Sequence, residues 1–253
     1  MGGVLVGIPS NVAFSLAFIA WNQSIPDAVR ATTVVPLSLS FTGAFPLIYA
    51  YLAKSREFEP SLVLALAIWS VLSFSSALVI SDYLSGNFLV SLVASVPSSL
   101  LLFYILARRQ RLLVGGRKVL PTTFQFLWRF VLSGGVVVCA VLANEFLGPL
   151  AGGVLATFPA VMISTLIIVN HAAGKEAARE LAVPMMVSTV MTIIPYSVIV
   201  RFSFPILASW LGTTPGIWLG SLAGYAVALP LAFVAYAVVK RIREGNSFKL
   251  KRS

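Results

Sequence analysis

A chain of 253 residues that is 58% hydrophobic and 10% charged, with a mean hydropathy of +0.95, has too little polar surface to close a water-soluble globule. One histidine and one cysteine exclude a His-rich metal site, a Cys/His catalytic pair and an internal disulfide, so neither enzyme activity nor a cofactor is expected. The net charge of +10 reads as membrane topology and contact with anionic lipid, and a chain with no soluble domain is not expected to bind nucleic acid.

Apolar runs of about 20 residues match a hydrocarbon core of roughly 30 Å. Eight such runs follow one another as Gly3–Trp21, Ala31–Leu52, Ser61–Ile80, Phe88–Ala107, Phe126–Phe146, Leu150–Asn170, Leu181–Val200 and Gly216–Val239. Phe204–Leu211 is too short to cross alone, so it either extends the seventh helix or lies at the interface. Lipid offers backbone amides no partners, which leaves helices or closed barrels, and runs without polar alternation favour helices. No positive residue precedes the first run, so it is read as mature structure rather than a secretory signal. The expected fold is an all-α polytopic bundle of about eight transmembrane helices.

Basic residues orient it. Arg108, Arg109, Arg111, Arg117 and Lys118 follow the fourth helix, and Lys240, Arg241, Arg243, Lys249, Lys251 and Arg252 follow the eighth. The positive-inside rule puts both groups, and by parity Lys54, Arg56, Lys175, Arg179 and both termini, on the cytoplasmic side of a cell membrane. Asp82 and Glu145 fall outside, with Arg30 and Arg201 as exceptions.

Gly2-Gly3-Val4-Leu5 with Pro9 returns as Gly152-Gly153-Val154-Leu155 with Pro159. The opening glycines lie 150 residues apart, Pro36 and Pro184 148, and Pro46 and Pro195 149, which points to an internal duplication. Helices one and six are five steps apart and must cross in opposite directions, so the repeat is inverted. The expected division is residues 1–80 as a first repeat with its leading helix missing, 81–123 as a linking helix and basic loop, 124–243 as a second repeat, and 244–253 as a basic tail. Ser91-Leu92 with Pro97 and Ser221-Leu222 with Pro230 suggest a competing pairing of helices four and eight in parallel orientation.

The segment Gly148-Pro149-Leu150-Ala151-Gly152-Gly153-Val154-Leu155-Ala156-Thr157-Phe158-Pro159-Ala160-Val161 resembles the GlpM-like family of small membrane proteins. That resemblance implies a unit of about four helices with a glycine-rich approach to a proline-bearing second helix, and it implies no particular activity.

Inverted repeats recur in secondary transporters, whose sites lie where helices are interrupted by Gly or Pro in corresponding positions of the two halves. Pro9, Pro36, Pro46, Pro159, Pro184 and Pro195 each remove a backbone donor, and are expected to free carbonyls for a cation or polar solute. Ser10, Asn11, Ser15, Thr157, Ser164 and Thr165 add neutral donors and acceptors, which makes the space between helices one and six the expected pathway. Taken singly, each proline is more simply a kink, Gly2-Gly3-x-x-x-Gly7 a close helix contact, and Asn11 an interhelical hydrogen bond. Ser73, Ser75, Ser76, Ser98 and Ser99 read as hydrogen bonds between helices, Asn144, Glu145 and His171 as interfacial groups, and Cys139 as a buried small apolar side chain. No carboxylate falls at the centre of a span, which disfavours proton coupling. The expected function is movement of a small solute or ion, the competing one a non-catalytic scaffold; the oligomeric state is not set by these features.

Overall fold

The computed structural model describes residues 8–83, 87–109 and 123–250, and every regular element among them is helical. Gly2 to Gly7, which open the first copy, lie outside the described residues, as do Arg111, Arg117, Lys118, Lys251 and Arg252. The helices are α1 (Ser10–Asn22), α2 (Ile25–Ala31), α3 (Val35–Leu52), α4 (Phe58–Tyr83), α5 (Phe88–Arg109), α6 (Thr123–Leu147), α7 (Pro149–Ala156), α8 (Ala160–Arg179), α9 (Ala182–Leu211) and α10 (Thr213–Leu250).

Seven segments among the described residues are long and apolar enough to span a membrane: α3, α4, α5, α6, α7 together with α8, α9 and α10. The first expected crossing is described only over α1, whose 13 residues fall short of a span. Two expectations change in detail, and one open alternative is decided. The run Ala31–Leu52 starts later, at Val35, because Ser24 caps a separate short helix, its Oγ accepting from the Asp27 N–H at 3.1 Å. Phe204–Leu211 is the continuation of α9. The sixth run, Leu150–Asn170, is broken outright between α7 and α8.

At the centre α3 packs against α9, with Gly43 facing Met186 and Val190. Around this pair stand α4 and α5 beside α3, α10 beside α9, and α6 beside α1 and α7. Val63 and Val71 of α4, Leu89 and Val93 of α5, Phe130 and Val138 of α6, and Phe233 of α10 face outward. So broad an apolar belt has hydrocarbon as its natural solvent.

Two seams show what holds helices together where lipid competes for apolar contact. Between α3 and α5 the contacts are polar: the Leu37 N–H, an unpartnered first-turn donor of α3, bonds Ser91 Oγ at 3.3 Å, Ser40 Oγ donates to Ser95 O at 3.0 Å, and Ser99 Oγ donates to Ser40 Oγ at 2.9 Å. Between α9 and α10 they are steric. Gly212, at φ 87°, turns the chain, and Gly216, Gly220 and Gly224 then lie against Ala208, Phe204 and Tyr196. A Cβ on Gly216 would stand 2.5 Å from the Ala208 backbone, while Cβ atoms on Gly220 and Gly224 would each stand 2.6 Å from an aromatic ring.

Gly216→Ala is therefore expected to destabilise the protein by about 1–3 kcal/mol through overpacking against rigid backbone. Gly134→Ala, where a Cβ meets nothing within 4 Å, is expected to be neutral or stabilising. Thermal unfolding of both variants in the same detergent checks the contrast, and equal losses would show that the α9–α10 seam is not close-packed.

Candidate functional site

The chain leaves the helix after Ala156 and resumes it at Ala160, because Pro159 has no N–H to continue the ladder. Pro159 sits at φ −78°, ψ 40°, and the Ala160 N–H turns back to Phe158 O at 2.8 Å. Pro9 has the same conformation, φ −75°, ψ 52°, and the same three-residue turn, Ser10 N–H to Ile8 O at 2.7 Å. Both prolines line one cavity of about 30 Å³, together with Ser10, Asn11 and Val12 from the start of α1 and Val161 and Met162 from the start of α8. That is room for one water molecule or one dehydrated ion.

A broken helix in an apolar interior exposes carbonyls, and α3 and α4 supply the remedy. Thr42 Oγ1 donates to Thr157 O at 2.9 Å and receives the Trp69 indole N–H at 2.8 Å. Thr157 Oγ1 pairs with Ser38 Oγ at 2.6 Å and reaches Val154 O at 2.7 Å. Trp69 also meets the Phe158 ring edge to face at 5.3 Å. The Thr157 carbonyl is thus occupied by the protein itself, and Leu155 O, the carbonyl that Pro159 leaves without its helical donor, accepts the Phe158 N–H at 3.0 Å. The N–H groups of Asn11 and Val12 in α1 and of Val161 and Met162 in α8 are what remains on offer, since no side chain caps either start.

The structure sorts the other expected residues. Asn11 lines the cavity. Pro36 is the second residue of α3 and Pro184 the third of α9, where a missing N–H breaks no helical bond; neither interrupts a span as expected. Pro46 and Pro195 do lie inside α3 and α9, but neither lines the cavity. Ser15 is fully buried, its hydroxyl without a hydrogen bond among the described residues. Ser164 and Thr165 face elsewhere: both accept from Arg129 of α6, Ser164 at 3.3 Å from Nε and Thr165 from Nη2.

Arg129 is the residue that sequence reading passed over, although a guanidinium inside an apolar run was a signal in plain view. Beside it runs a second and larger space, a groove of about 830 Å³ between α1 and α6. Ser10, Asn11, Arg129 and Ser133 form its polar end, and Phe14, Phe18, Val138 and Leu142 carry it along the two helices toward Asn22. Ser10 and Asn11 border both spaces, so cavity and groove adjoin.

Two further expectations are corrected. Asn144 is buried rather than solvated; its Nδ2 donates to Gln23 Oε1, and Gln23 Nε2 donates to Val141 O at 2.9 Å, which pins the far end of α1 to α6. Cys139 is exposed on the outer face of α6, not buried, because its side of that helix has no neighbour. Among the serines, Ser99 bonds between helices as expected, whereas Ser76 bonds Ser73 O within α4.

A bundle of helices long and apolar enough to span, with a broad outward-facing apolar belt, is a multi-pass integral membrane protein. Residues 126–244, from α6 into α10, match the model of a family described as a protein of unknown function, DUF3147. No curated protein and no solved structure matches the chain.

Thr42→Val removes the donor to Thr157 O and the acceptor for Trp69, and each buried group left unpaired costs about 1–3 kcal/mol. A clear fall in Tm is expected for Thr42→Val and near wild-type behaviour for Thr42→Ser. Indistinguishable melting of the two would mean that Thr42 does not hold the break.

Proposed function

We propose that the protein is a permease in which a small solute or ion crosses between the proline-led helix starts at Pro9 and Pro159. The observation that carries the proposal is the likeness of the two helix starts, with matching proline angles, matching three-residue turns and one shared cavity. Interrupted helices in corresponding positions of two halves are where secondary transporters hold their solutes. The inverted repeat belongs to the same proposal, as does the orientation with both termini in the cytoplasm of a cell. Residues 124–243 are taken as its second unit, a choice supported by the family match over 126–244. The kinship of that unit with GlpM-like proteins also stays within the proposal, since the family match carries no such name.

The chemistry at the cavity favours one kind of solute. Uncapped helix starts present N–H groups and the positive end of the helix dipole, so the partner they suit is an anion or the electronegative end of a neutral solute. Asn11 is the side chain placed to choose between such solutes. No covalent chemistry is assigned to it, and transport needs none.

The test uses the full chain with Cys139→Ala as background and single cysteines at Asn11 and Val161. Both are expected to react with membrane-impermeant thiol reagents, from opposite sides. In proteoliposomes screened with small anions, Asn11→Leu is expected to lose most of the flux while Tm stays unchanged. Protection of both cysteines from both sides, with no flux in any screen, would sink the proposal and leave a scaffold.

A further inference from the structure

We infer that the groove between α1 and α6 is a binding site for an anionic phospholipid, with the phosphate at Arg129 and one hydrocarbon chain lying along α6 toward Leu142. The inference stands whether or not a solute crosses between Pro9 and Pro159.

Charge comes first. Arg129 lies inside the apolar span Leu127–Leu147, and the partners it has are the neutral hydroxyls of Ser164 and Thr165. Among the described residues no carboxylate pairs with it; the two ion pairs present join Arg179 to Glu176 and Lys240 to Glu244. A guanidinium at the edge of hydrocarbon with its charge unmatched is a site for an anion, and its planar fork suits phosphate oxygens. Ser10, Asn11 and Ser133 stand at the same end of the groove and supply further hydrogen bonds to a headgroup.

Depth and length agree with a lipid. Arg129 is the third residue of the apolar span Leu127–Leu147 and stands beside the exposed Trp128, an aromatic suited to the membrane interface, so it lies near one edge of the hydrocarbon. From Arg129 to Leu142 the helix rises about 20 Å at 1.5 Å per residue, somewhat more than one leaflet of hydrocarbon. Over that distance the walls are mostly apolar, with Phe14 and Val138 both exposed. Gly134 widens the groove, since a Cβ there would meet nothing within 4 Å. Small anions would use the Arg129 end and leave the rest empty, whereas a phospholipid fills both.

The inference is tested on the purified full-length protein in detergent, by native mass spectrometry and Tm. The probes are phosphatidylglycerol, phosphatidylcholine with the same chains, and inorganic phosphate. Phosphatidylglycerol is expected to be retained about tenfold more tightly than phosphatidylcholine, corresponding to one charge-assisted contact. Arg129→Gln is expected to erase that preference. Gly134→Leu, whose Cβ enters the groove and meets nothing within 4 Å, is expected to lower retention of both lipids while leaving the lipid-free Tm unchanged. Equal retention of the two lipids by the wild type, or wild-type retention by Gly134→Leu, would overturn the inference. So would a Tm shift from inorganic phosphate that equals the one from phosphatidylglycerol and is lost in Arg129→Gln, which would mean a free-anion site at Arg129. A lipid-independent dimer that Gly134→Leu dissociates would overturn it too, and would identify the occupant as a second copy of the chain.

Discussion

A helix that breaks inside a membrane leaves carbonyls that water cannot reach, and the architecture around Pro159 follows from the need to satisfy them. Thr42 is the pivot, giving its proton to Thr157 O and taking the Trp69 indole proton. To place that hydroxyl, α3 has to run through the centre of the bundle; to place Trp69, α4 has to lie against it. The central position of α3 and the integrity of the break are therefore one requirement met from two directions. With Thr157 O bonded to Thr42, the cavity where Pro9 and Pro159 meet is bordered by the starts of α1 and α8.

Arginine is handled in three ways within the same fold. Arg179 Nε donates to Ala50 O at 3.1 Å, near the end of α3, and the same side chain pairs with Glu176. Arg201 closes the end of α2 by donating to Val29 O at 2.6 Å and Thr32 Oγ1 at 2.9 Å, with its guanidinium 4.3 Å from the Phe88 ring. In both cases a cation meets carbonyls at a helix C-terminus, the favourable end of the dipole. Among the described residues Arg129 has only hydroxyls as partners, beside an adjoining groove. The contrast separates it from the other two: their charge is answered by the fold, and its charge is left for a ligand.

Much of the fold was legible because a bilayer sets a length. Apolar runs near 20 residues located the spans to within a few residues in α5 and α6, and the glycines and proline at 152–159 marked the break between α7 and α8. Gly216, Gly220 and Gly224 carried a close-packing signal in their four-residue spacing that was as readable as the one drawn from Gly2, Gly3 and Gly7. Arg129 was legible by the same standard, since charge inside an apolar run is rare. Cys139 and Asn144 were misread for a common reason: hydropathy says which residues enter a membrane but not which side of a helix has a neighbour.

By itself the sequence determined the solvent, the helical class, the approximate spans and the places where proline forbids a continuous helix, because these depend on local composition and on one missing N–H. Tertiary structure alone decided that Thr42, 115 residues from Thr157, closes the broken backbone, that Pro9 meets Pro159, and that Arg129 faces Ser164 and Thr165 beside an open groove. Those are relations between faces of different helices, and a face acquires a partner only when the helices pack.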